Sequence, residues 1–156
     1  MIERIQANAA MVRKFASDAC DADIGFDEAG VRWLDDYIKG PAQRLDEPVK
    51  EKMVSMFGSY LGECIRQTYG GRWVEQPEYG WGMEIAKDFM VFPFNKVDKQ
   101  MDQIEGDSVY GLFSSIGPML VMHRKTPDPA PSPAPSPAPK SATRPTPAPR
   151  PWWKFW

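Results

Sequence analysis

Between Pro127 and Pro139 every second residue is proline, and this run limits what the chain can fold into more than any other feature. Proline removes a backbone donor and fixes φ, and it disfavours helix for the residue before it. Alternating proline therefore predicts an extended polyproline-type segment with no packed core. Eleven of the 16 prolines lie between Pro127 and Pro151, and three of the six tryptophans lie in the last five residues. The 156 residues divide into three parts: a globular domain over 1–122, a Pro/Ala/Ser-rich linker over 123–150, and an aromatic motif over 151–156. As a stiff polyproline rod, residues 127–150 would reach on the order of 70 Å.

The charge divides the same way. Residues 1–125 hold 15 Lys and Arg against 20 Asp and Glu, a net of −5. Residues 126–156 hold Lys140, Arg144, Arg150 and Lys154 against Asp128, a net of +3. An acidic body repels phosphate, so nucleic acid is not an expected partner. No apolar run approaches the ~20 residues that span a bilayer. Cys20, Cys64 and the single His123 do not form a cluster at metal-ligand spacing, so no metal or cofactor is expected. The first residues are broken up by Glu3 and Arg4 and show no signal-peptide core, which makes the cytoplasm the expected location.

The periodicities predict an α+β domain, with N-terminal helices on a short three-stranded antiparallel sheet and then a C-terminal helix. Ile2, Ile5, Ala9, Val12 and Ala16 recur at helical spacing over 2–19, an alanine-rich stripe suited to an edge helix. Asp27 is placed to cap a second helix, and Phe26 with Val31 has the spacing of a hydrophobic staple. Gly40-Pro41 ends or kinks that helix. A third runs from Pro48 to Gly70-Gly71, with Met53, Phe57, Tyr60, Leu61 and Cys64 on one face. Gly58 and Gly62 beside that stripe cost about 1 kcal/mol each against alanine, which implies close approach of another element's backbone. Short aromatic and β-branched runs over 72–92 predict a three-stranded meander, with Trp81, Met83 and Ile85 alternating against Gly82 and Glu84. One or two helical turns follow over 93–103. Asp107 then caps a last helix that Gly117-Pro118 interrupts. Trp33, Trp73 and Trp81 are expected in the core.

The runs Phe26-Asp-Glu-Ala-Gly-Val-Arg-Trp-Leu-Asp, Gly58-Ser-Tyr-Leu-Gly-Glu-Cys-Ile-Arg, Tyr69-Gly-Gly-Arg-Trp and Val91-Phe-Pro-Phe-Asn-Lys-Val resemble a family of small bacterial proteins. That family is catalogued as a domain of unknown function. The resemblance covers about residues 26–117. It implies a compact α+β domain and carries no activity and no site residues.

Two places carry candidate chemistry. Glu63, Arg66 and Arg72 would form a pocket between the glycine-bearing helix and the sheet, with Glu63 a general acid or base if burial perturbed it. The competing expectation is a helix-surface carboxylate paired with a basic side chain. Asp35 and Asp36 are adjacent and do not form a carboxylate pair by spacing. Tyr69-Gly-Gly-Arg72 follows a helix rather than preceding one, so it reads as a C-cap and not a phosphate cradle. The second place is the tip, Trp152, Trp153, Lys154, Phe155 and Trp156. Four large rings at the end of a linker that cannot pack need a docking site. A groove on a partner protein is favoured, because tryptophan is over-represented among anchoring residues. A membrane surface at the inner face is the alternative, and the acidic body itself is the third. An adaptor module presenting the tip is thus the expected function, with a small enzyme or ligand binder as the other class.

Overall fold

The computed structural model describes residues 1–125. Among the described residues five α-helices and one three-stranded antiparallel sheet make an α+β fold. Helix α1 (Ile2–Cys20) lays Ile5, Ala9, Val12 and Ala16 against the third helix. The alanines let the two backbones come close. In helix α2 (Glu28–Lys39) Asp27 is the N-cap, its carboxylate accepting from the Gly30 N–H at 2.9 Å. A 3₁₀ turn over Pro41–Arg44 follows Gly40. Helix α3 (Glu47–Tyr69) is the centre of the domain, with every residue from Phe57 to Ile65 buried. It stops at Gly70 and Gly71, whose φ values of 81° and 113° suit a residue without a Cβ.

Strands β1 (Arg72–Gln76), β2 (Gly80–Ala86) and β3 (Phe89–Val91) pair in sequence order. Trp73 pairs with Met83 and Met83 with Val91, so these three share one face. That face lies on α3 and on helix α4 (Pro93–Met101). Val74 pairs with Gly82 and Glu84 with Met90, so these turn to the opposite face. Helix α5 (Val109–Lys125) closes the core with Val109, Leu112, Phe113, Ile116 and Leu120.

Four expectations need correction. The partners of Gly58 and Gly62 are aromatic side chains more than backbone. An added Cβ would lie 2.3 Å from the Phe94 ring at Gly58 and 2.1 Å from the Trp73 ring at Gly62. Each glycine makes room for a ring, although at Gly58 the Phe94 Cα also comes within 2.9 Å of that point. Gly117-Pro118 does not interrupt α5, because Ile116 and Leu120 on either side are buried and the packing carries the helix through. The helix runs to Lys125. Ser108, not Asp107, accepts from the first turn of α5, its Oγ 3.1 Å from the Gly111 N. Of the three core tryptophans only Trp73 is fully enclosed, while Trp33 and Trp81 pack half-buried against the cluster.

Candidate functional site

Glu63 is buried on α3, at 3 % exposure. Arg66, one turn on, donates to both of its oxygens at 2.8–3.1 Å. The Trp73 indole N–H donates to Oε1 at 2.9 Å. The planar guanidinium fork matches the carboxylate, and such charge-assisted bonds are the strong ones. The ionised partner holds the Arg66 charge more firmly than in water, raising its pKa. Arg72, the third expected member, does not join them. It is 75 % exposed and pairs with Glu84 across the β1–β2 ladder at 2.6 Å. Glu63 is therefore neither a solvent-facing surface carboxylate nor an open acid facing a cavity. It fixes the Trp73 ring in the space that Gly62 leaves.

A second polar centre escaped the sequence reading. Asp35, 5 % exposed on α2, collects donors from three elements. Its Oδ1 accepts from Gln100 Nε2 at 2.9 Å, Ser108 Oγ at 2.6 Å and the Tyr110 N–H at 3.4 Å. Lys39, one turn on, pairs with Oδ2. Burial pushes the carboxyl up, but the bonds from Lys39, Ser108, Gln100 and the Tyr110 backbone outweigh it and hold the pKa below the usual range. Gln100 Oε1 in turn accepts from the Val109 N–H at 2.7 Å. Beside this network Lys96 and Asp107 form a buried ion pair at 2.5 Å, with side chains 6 % and 9 % exposed. Removing one member of such a pair would leave an uncompensated buried charge. Together these contacts fasten the loop between α4 and α5 to α2. Among the described residues no buried side-chain nitrogen or oxygen is left without a partner.

The remaining nucleophile is quiet. The Cys64 thiol is buried and pushed up to about 12, chiefly by burial. Tyr60 beside it donates to the Gly25 carbonyl at 2.5 Å, and burial raises its pKa as well. Among the described residues no group of three His, Cys, Asp or Glu is placed to hold a metal ion, and no helix is long and apolar enough to cross a membrane.

The expected binding residues Trp152, Trp153, Lys154, Phe155 and Trp156 lie outside the described residues. Their point of departure does not. Leu120 is the last buried residue of α5, and residues 121–125 are all exposed, Val121 at 51 % and Met122 at 69 %. The His123 ring lies 6.0 Å from the ring of Phe89 on β3. The segment that leads to the tip therefore begins at a projecting helix end beside the edge of the sheet.

Comparison of the chain with family models, with curated proteins and with solved structures finds no match.

Proposed function

We propose that this chain is a binding or adaptor module whose α+β domain presents the aromatic tip Trp152–Trp156 to a partner protein. The observation that supports it most is the exposed last turn of α5, which starts the proline-rich segment clear of the core. Sequence supplies the rest: an acidic body, a segment of alternating proline, and a tip of four large rings with Lys154 among them. Burying one aromatic side chain contributes roughly 1.5–3 kcal/mol. Two or three rings in a groove, less the cost of ordering them, give an affinity of order micromolar. That range fits a regulated adaptor contact.

Affinity purification of the full chain, with and without residues 151–156, tests the reading. A partner captured by the full chain and lost on truncation supports it. If truncation loses no interactor, the adaptor reading fails. If instead the full chain co-sediments with anionic vesicles, and Trp152→Ala with Trp153→Ala abolishes this, the tip's target is a membrane surface and not a protein.

A further inference from the structure

The sheet has a second face that the helices do not use for their packing. Trp73, Met83 and Val91 meet α3 and α4 on one side. On the other side Val74, Gly82 and Met90 are joined by Phe92, just after β3, and Tyr79, just before β2. A solvated sheet face ordinarily carries polar side chains. Here Gly82 contributes no side chain, and the Phe92 ring and the Met90 methyl lean over it, 2.8 Å and 3.1 Å from where a Cβ would stand. Tyr79 stacks at a tilt on Phe92, with ring centroids 5.5 Å apart. Val74, Tyr79 and Met90 are only half-buried, so the result is a small aromatic and thioether patch, bounded on the same face by the Arg72–Glu84 ion pair and by Gln76, whose Nε2 donates to the Met90 sulfur at 3.3 Å. Methionine adapts to whatever lies on it, and it contacts rings favourably.

We propose that this outer sheet face is the resting site of the chain's own aromatic tip, Trp152–Trp156. The inference rests on reading the tip as a binding element, and it adds the surface that holds it when no partner is bound. Position supports this occupant. The tail departs from the last turn of α5, where His123 touches Phe89 of β3. An open depression lined by Arg72, Glu84, Ala86 and Lys87 lies at this same end of the sheet. Twenty-six residues separate Lys125 from Trp152. Their contour at ~3.1 Å per residue is about 80 Å. A domain of this size has a radius of gyration of roughly 14 Å, so the length suffices for return.

Charge supports it too. The body carries −5 and residues 126–156 carry +3. Glu78 stands exposed in the turn next to Tyr79, where Arg150 or Lys154 beside the docked rings would meet it. Tethering then makes a weak contact sufficient. A tether that can turn back at its proline-free stretch Lys140–Arg144 supplies an effective concentration of order millimolar. At that concentration a contact of about −4 kcal/mol is half-formed. A partner must displace the docked tip, so its apparent affinity falls in proportion to the free fraction.

The test is a comparison of ¹H–¹⁵N spectra of two full-length chains. One is the native chain and the other carries Trp152→Ala, Trp153→Ala, Phe155→Ala and Trp156→Ala. The expected result is amide shift changes confined to Val74, Gly82, Met90 and their neighbours. Met90→Lys in the native chain should reproduce those changes. Glu78→Lys, at an exposed turn, should reduce the docked population at least twofold. Unchanged sheet amides, or changes clustered on the helices, overturn the proposal. Changes that grow with protein concentration also overturn it, and assign the face to the tip of a second copy. Sheet shifts without any partner in the purification experiment would keep the docking and remove the adaptor reading.

Discussion

Replacing Gly62 with alanine sets two opposing effects against each other, and the structure decides which wins. In a helix interior the change contributes about 1 kcal/mol of stability. The added methyl, however, would lie 2.1 Å from Cη2 and 2.2 Å from Cζ2 of Trp73. Carbon atoms in contact sit ~3.5–4.0 Å apart, so the ring must retreat by about 1.5 Å. It cannot retreat freely. Its indole N–H is bonded to Glu63 at 2.9 Å, and Phe94 lies 5.7 Å away, centroid to centroid, on the other side. Overpacking of this kind costs roughly 1–3 kcal/mol. Loss of a hydrogen bond to a charged group adds about 1.5–3 kcal/mol. Subtracting the helix gain leaves a net loss of roughly 1.5–5 kcal/mol. For a domain of this size that corresponds to a fall in Tm of about 6–20 °C, at ~4 °C per kcal/mol. Urea titration followed by tryptophan fluorescence, with thermal melts by circular dichroism, reads the change. Trp73→Phe supplies the control, because the smaller ring does not reach the methyl and has no N–H to lose. In that background Gly62→Ala should cost at least about 1.5 kcal/mol less, a coupling typical of residues in contact. A Gly62→Ala chain as stable as the native one would refute the reasoning, as would an equal cost in both backgrounds.

Asp35 and Cys64 give two further expectations. The Asp35 pKa is lowered in the fold, so its contribution is present above the unfolded value and lost as pH falls through the folded one. The stability gap between the native chain and Asp35→Asn should therefore be constant near neutrality and narrow below about pH 4; urea midpoints taken across pH would show a constant gap if the carboxylate contributed nothing. Cys64, buried with its thiol pushed up to about 12, should stay unreactive toward a thiol reagent at pH 8 while the half-buried Cys20 is modified. One equivalent is expected in the native state and two in denaturant, and two equivalents reacting natively at one rate would contradict the burial.

What the sequence disclosed was local. Asp27 announces its helix because a cap bonds three residues ahead. The alternation from Trp81 to Ile85 announces a strand because neighbouring side chains leave on opposite faces. The unread features depend on residues far apart in the chain. Asp35 meets Ser108 and Tyr110 more than 70 residues later, and no spacing rule joins them. Asp107 and Ser108 are equally good caps on paper, and Lys96 on α4 settles the choice by claiming Asp107 as its ion partner. Pro118 reads as a break until the burial of Ile116 and Leu120 is known. Glu63 was correctly placed beside Arg66, but its third donor comes across the Gly70-Gly71 turn, and the expected Arg72 points instead to Glu84. The outer sheet face was hidden for a similar reason, because only the register puts Phe92 and Met90 over Gly82.

The overhang of α5 has a mechanical consequence. Five residues of helix run on about 7.5 Å past Leu120, at 1.5 Å per residue, exposed but with the His123 ring beside Phe89. They form a short mast, rigid on the scale of the chain that follows. A tether fixed flat to a wall can search only half the volume of one hung from a boom. The mast thus widens the tip's field, and its direction aims that field. Cutting α5 back at Leu120, or breaking it with glycine at Val121, would swing the origin of the search without altering any ring in the tip. Capture rates of a partner would then change while the affinity of the isolated tip stayed the same.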